Sequence, residues 1–309
     1  MIAVQTFWTK PMTKEELLRD LPLVVLSIQS ISNFYQVHVV TDSLGYFFLS
    51  QIDFKNVHLY NELDNYKYDK RLWASAKYYT YKKFAEDDFI HFDTDIVLEK
   101  KIIPTKSALF DCQEDKLTLS NTLVSRINIK DVFKKMGISP ELLMFYDNIY
   151  NVGTFYIRDK TARISYVLQG EYMLDLIQSK IDNYDVPDYF SKEEGGICMM
   201  YVEQHIISNY TEDVEFIRNS VYHQRLDNLN TSDLQNIDEF TKETSITLKE
   251  LNKFDYCNLL KVNSTGYTHL FSFLRIYPIV QKQVDFYLKK YYVSLYNKIT
   301  ELINNENNK

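Results

Sequence analysis

Glycine and proline are scarce in this chain of 309 residues, with seven and six copies. No glycine-rich loop follows the first strand-like run, so neither a dinucleotide-binding fingerprint nor a P-loop is present. A nucleotide held here is held without a glycine-cradled pyrophosphate, which shifts the weight onto a bound cation. Cysteine is scarce too. Cys112, Cys198 and Cys257 form an odd set at wide spacing, which fits a reducing compartment and excludes both a disulfide framework and a cysteine-built zinc site. Net charge is −7 with acids and bases mixed along the chain. Without a basic tract to neutralise a phosphate backbone, nucleic acid is not an expected partner. No apolar run approaches transmembrane length and no leader-like segment precedes residues 2–8. The expectation is a cytoplasmic protein with no transmembrane segment.

Aromatic residues are plentiful, 25 Tyr and 19 Phe; they fill cores and also stack on sugar and base rings. After a strand at 2–8, Thr13 and Glu16 have capping-box spacing and open a helix to about residue 34. Pro22 either kinks that helix or marks where its main part begins. A strand at 37–41 closes at Asp42, an apolar segment spans 44–52, and a third strand spans 56–60. A helix over 71–85 precedes the strand Phe89–Phe92. This alternation predicts an α/β fold, a mostly parallel central sheet flanked by helices and built from right-handed crossovers.

Beyond residue 100 the pattern changes. Strands are expected at 117–124 and 149–157, and helices at 159–179 and 197–210. The polar, aromatic stretch 182–196 ends in Gly195-Gly196 and reads as a mobile segment. Residues 224–245 read as a loop excursion or a short helical hairpin. A long C-terminal helix over 279–304 carries Val280, Val284, Tyr287, Leu288, Tyr291 and Leu295 on one stripe, with Lys282, Lys289, Lys290 and Lys298 outward. It packs on the domain or contacts a partner or a membrane surface.

The chemistry concentrates at Asp93-Thr94-Asp95. A buried strand that ends in two carboxylates one residue apart places hard oxygen ligands at the crevice where open α/β sheets bind ligands. Such ligands suit Mg²⁺ or Mn²⁺, ions that complete their shells with substrate phosphates. A loop-capping pair is the plainer alternative. Among the histidines, His91 lies in the strand, His38 and His58 lie in or beside strands, and His205, His223 and His269 are rival ligands.

The order of elements resembles the GT-A glycosyltransferases, in particular the group of glycogenin and the lipopolysaccharide galactosyltransferases. Phe92-Asp93-Thr94-Asp95-Ile96-Val97 is similar to the metal-binding Asp-x-Asp of that fold. Lys77 stands where the family has a donor-contacting basic residue about sixteen positions before the acidic pair, and Arg71 lies in the same helix. Tyr150-Asn151-Val152-Gly153-Thr154-Phe155 resembles the Asn-Ala-Gly strand against the donor sugar; a glycine there also lets backbone approach a ligand closely. Glu203-Gln204 resembles the Asp-Gln motif beside the transferred sugar, with Glu in place of Asp. Gly266-Tyr267-Thr268-His269 resembles the segment supplying a late histidine ligand, but lacks its glycine-lysine-proline sequel, so Arg275 or Lys77 would bind the diphosphate.

The resemblance implies a GT-A domain over 1–275, with 276–309 a helix packed on it. It implies a hexosyltransferase that moves a sugar from a nucleotide-diphosphate donor, UDP before GDP, to a glycan, lipid or other hydroxyl acceptor with retention. Asp93, Asp95 and His269 would hold Mn²⁺ or Mg²⁺. Thr6, Phe7, Arg71, Lys77, Asp93, Asn151 and Gly153 would bind the donor, although Thr6, Phe7 and Trp8 equally fit a core. Gln204 and Glu203 would act at the transferred sugar. Were the reaction to invert configuration, Glu203, Asp188, Glu193 or Glu194 would serve as base. Rival readings are a sugar-nucleotidyltransferase, against which the glycine-poor start argues, a non-catalytic saccharide- or nucleotide-binding relative, and a glycosidase. The last fits poorly, because carboxylates one residue apart are too close for its acid and nucleophile.

Overall fold

The computed structural model describes residues 1–113, 126–145, 149–183, 190–211, 213–217, 267–269 and 278–308. Outside these residues lie the expected strand at 117–124, the excursion at 224–245, and the candidate side chains His223, Asp188 and Arg275.

A seven-stranded sheet runs in the order β3-β2-β1-β4-β7-β6-β8. Strands β1 (Ile2–Phe7), β2 (Val37–Thr41), β3 (Val57–Asn61) and β4 (Phe89–Phe92) are mutually parallel, as the alternation predicts. Next to β4, strand β7 (Tyr150–Ile157) is antiparallel, and so is its pairing with β6 (Ala108–Gln113). β8 (Val214–Phe216) then pairs parallel to β6. Strand β6 had no counterpart among the expected elements. A separate two-stranded sheet pairs β5 (Ile96–Leu98) with β9 (Tyr267–His269).

Side chains alternate across a strand, and the core divides accordingly. Val4 and Phe89 join a cluster with Tyr78, Tyr166 and Met199; Ala3 and Ile90 join another with Leu21, Leu26, Val284 and Leu288. Helices α3 (Ala76–Lys83), α4 (Arg126–Lys135), α5 (Lys160–Asn183) and α6 (Lys192–Met200) contribute to the first cluster or its rim. The second gathers α1 (Lys14–Ser32), α2 (Ser43–Leu49), α7 (Pro278–Tyr291) and α8 (Val293–Asn307). Burial on both faces is what makes the parallel strands read as nearly unbroken apolar runs.

Thr13 and Glu16 form the expected capping box. Helix α1 runs uninterrupted through Pro22, so that proline does not mark its beginning. Three other expectations are corrected. The helix over 71–85 is confined to Ala76–Lys83, because Leu72, Ser75, Lys77 and Tyr78 each bond three residues back in tight turns. The C-terminal helix is two helices broken at Tyr292 (φ −139°, ψ 54°), whose hydroxyl takes a hydrogen bond from Asn33 at 3.0 Å. Gly195 and Gly196 are helical, within α6, which Ser191 and Glu194 cap reciprocally. A β-carbon on Gly195 would lie 2.3 Å from the Arg71 carbonyl oxygen, so this glycine serves close packing.

Candidate metal centre

Two ladders assemble the site. β4 delivers Asp93 at the carboxyl end of the parallel strands, and the chain turns at once into β5. There Ile96 pairs with His269 of β9, so the ladder sets Asp95 beside an imidazole that lies 174 positions later in the sequence (269 − 95). His269 Nε2 is 3.1 Å from Asp95 Oδ1. One ligand atom from each of Asp93, Asp95 and His269 falls within 4.8 Å of the others. Two carboxylates and an imidazole suit Mn²⁺ or Mg²⁺, the imidazole tilting the set toward Mn²⁺.

The backbone of this corner is held from several sides. Asp93 N–H donates to the Gly153 carbonyl at 2.7 Å, and Gln5 Nε2 donates to the Asp93 carbonyl at 3.1 Å. Asn151 turns its Oδ1 back to accept the Gly153 N–H at 3.0 Å. The His269 ring lies directly on Gly153: a β-carbon there would stand 2.2 Å from Cε1 and 2.7 Å from Nδ1. Glycine is required by this close approach.

Charges are packed tightly. The Lys77 ammonium sits 2.7 Å from Asp93 Oδ1 and 3.0 Å from Glu203 Oε1. Burial works to lower its pKa, but Asp93 and Glu203 outweigh burial and hold it above the ordinary lysine value. Burial pushes Glu203 up to about 7 against the pull of Lys77, and likewise raises Asp93. For His269, burial favours the neutral ring, yet Asp95 and Asp111 on its two nitrogens raise it to about 9. His91 is the opposite case. Burial, then the Lys77 charge, hold it well below the ordinary histidine value, and its ring packs against Tyr81 and Phe155.

Lys77, Asp93, Asp95, Asn151, Gly153, Glu203 and His269 are thus linked by direct contacts. Gln204 neighbours Glu203 in a π-helical turn, Tyr201–His205, that continues α6; such turns are frequent at functional sites. Its side-chain oxygen is buried with no hydrogen-bond partner among the described residues. Four candidates lie in other settings. Thr6 donates to Thr80 Oγ1 at 2.7 Å, and Phe7 packs in the core with its ring under Gly45. Arg71 bonds both Asp69 oxygens at 2.8 Å and the Phe190 carbonyl at 2.7 Å. Glu194 caps α6 and pairs with Lys135.

Asp111 was missed by sequence reading. Fully buried on β6, it accepts from His269 Nδ1 at 2.6 Å. Its signal was a carboxylate inside the apolar run Ala108-Leu109-Phe110, where only a paired charge is tolerated.

No family model matches the sequence, and no curated protein does. Among solved structures, GlyE of Streptococcus pneumoniae TIGR4 overlaps 98% of this chain at 10% identity and a TM-score of 0.44. Mouse xyloside xylosyltransferase 1, apo form, overlaps 64% at 10% identity and a TM-score of 0.32. Both are glycosyltransferases. This chain covers 64% of the length of the GlyE chain and 80% of the mouse one. Among the described residues no helix is long and apolar enough to cross a membrane.

Proposed function

We propose that the protein is a metal-dependent GT-A glycosyltransferase that moves a hexose from a nucleotide-diphosphate sugar, UDP before GDP, to a glycan, lipid or other hydroxyl acceptor. The carrying observation is the convergence of Asp93, Asp95 and His269 ligand atoms within 4.8 Å, at the carboxyl end of the parallel strands where such folds bind ligands. These three side chains would hold Mn²⁺ or Mg²⁺. A divalent ion there supplies Lewis-acid stabilisation of the charge that grows on the leaving diphosphate, worth several kcal/mol in metal sites generally.

The rest is the work of the chain. Lys77 holds Asp93 and Glu203 together through its ammonium. Gln204 offers a buried carbonyl oxygen, without a partner among the described residues, to a sugar hydroxyl. Asn151 and Gly153 would border the donor sugar, Gly153 with its open face given to the His269 ring and its N–H to Asn151 Oδ1. Retention of configuration follows the family resemblance, with the leaving phosphate accepting the acceptor's proton. Under inversion, Glu203 with its pKa near 7 would be matched to a base at neutral pH. Residues 1–275 would form the catalytic domain, with the C-terminal helices packed on it, and 182–196 and 224–247 would choose the acceptor.

The test is hydrolysis of a panel of nucleotide sugars with and without Mn²⁺. We expect Mn²⁺-dependent release of one nucleoside diphosphate, abolished in Asp95→Asn. No metal-dependent turnover, with nucleotide still bound in calorimetry, would mark the non-catalytic reading instead.

A further inference from the structure

The site has a member outside the metal-binding triplet and outside the motifs that suggested it. Asp111 is fully buried in the sheet, and an ionised carboxylate in such a place is costly unless its partners compensate. Its oxygen Oδ2 stands 2.6 Å from His269 Nδ1. The other ring nitrogen, Nε2, is the one beside Asp95. A carboxylate can only accept, so Asp111 keeps a hydrogen on Nδ1, and Nε2, on the Asp95 side, is the nitrogen that would give up its hydrogen to a cation.

The backbone is shaped for this contact. Along the β6–β7 ladder Phe110 pairs with Phe155, but Cys112 pairs with Asn151. One residue of β6, Asp111, therefore stands opposite three of β7: Val152, Gly153 and Thr154. Irregular ladders of this kind re-aim side chains and are over-represented beside active sites. The same three residues include Gly153, on which the imidazole lies too close for any β-carbon. Asp111 thus fixes one edge of the ring, and Gly153 fixes its face.

Resting on the metal-dependent reading above, we infer that Asp111 is a positioning residue: it sets the tautomer and the ring orientation of His269 so that Nε2 is presented to the divalent ion. Partners of this kind, one bond removed from a metal, typically change affinity by about 10–100-fold when altered.

The experiment measures Mn²⁺ binding directly, from the free-ion signal in electron paramagnetic resonance, on the full-length wild type, Asp111→Asn and Asp95→Asn. Asparagine keeps the size of the side chain but loses the charge and turns one acceptor oxygen into an amide donor, so acceptance from Nδ1 is no longer fixed. We expect Asp111→Asn to weaken Mn²⁺ by about 10–100-fold and Asp95→Asn to lose it. ¹⁵N spectra of the His269 ring in Mg²⁺-saturated wild type should show hydrogen on Nδ1 and none on Nε2, a readout that survives even if Asp111→Asn fails to fold. Hydrogen on Nε2 overturns the inference. So does Asp111→Asn binding Mn²⁺ as well as wild type while Asp95→Asn does not. If Asp95→Asn also binds as wild type does, the metal centre itself is wrong and the positioning role falls with it.

Discussion

Lys77 is the residue on which a buried carboxylate, Glu203, and a half-buried one, Asp93, depend. Removing one partner of a buried ion pair leaves uncompensated charge and costs about 3–5 kcal/mol, more than the intact pair contributes. Lys77→Met keeps the length of the stem and deletes the ammonium, leaving Asp93 and Glu203 facing each other. We expect urea unfolding to show a loss of about 3–5 kcal/mol, and a double variant, Lys77→Met with Glu203→Gln, to recover part of it. Gly153→Ala probes the other contact. Its methyl would need the space 2.2 Å from His269 Cε1, so the ring must rotate or the β7 backbone must shift. Weakened Mn²⁺ binding with a retained fold, read by circular dichroism, is the expected outcome. Wild-type affinity would mean that the ring has room elsewhere.

At the scale of elements, the start of α6 shows how local chemistry positions the site. Ser191 accepts from Glu194 N–H at 3.1 Å while Glu194 accepts from Ser191 N–H at 2.7 Å, and the helix then runs into the π-turn carrying Glu203 and Gln204. Ser191→Ala should cost about 1 kcal/mol in thermal unfolding, because the Glu194 amide group loses its acceptor. Readability from sequence followed the same division between local and distant. The strand ending in Asp93-Thr94-Asp95 and the Thr13/Glu16 box were legible because neighbours within a few residues determine them. The pairing of Asp111 with His269 was not, since its partners stand 158 residues apart and meet only through an irregular ladder. The break at Tyr292 was hidden as well. No glycine or proline marks it, and the contact comes from Asn33, which caps the end of α1. Gly195-Gly196 misled because composition alone does not distinguish a flexible pair from one packed under the Arg71 carbonyl.

Across the whole molecule three titrating groups of the site, Glu203, His269 and Asp93, act in one direction, and His91 in the other. Glu203 is raised from 4.5 to about 7 and His269 from 6.5 to about 9, while Asp93 is raised as well. Each therefore binds its proton more tightly in the folded chain than in the unfolded one. Their contribution to stability is complete below the unfolded values and is lost as pH climbs through the folded ones. For the metal-free protein the midpoint of thermal unfolding should fall in steps, through Glu203 between pH 4.5 and about 7 and through His269 between pH 6.5 and about 9. A divalent ion competes for the same Nε2 and must displace its proton, because ligands bind in their deprotonated forms. Mn²⁺ affinity should accordingly rise by about tenfold per pH unit between 7 and 9, with about one proton released per ion. Saturating metal should then offset the alkaline loss of stability, since a ligand bound only by the folded state stabilises it by mass action. Calorimetric titrations at pH 7, 8 and 9 in buffers of different ionisation enthalpy measure the released proton directly. An affinity independent of pH over that range would mean that His269 does not carry the ion.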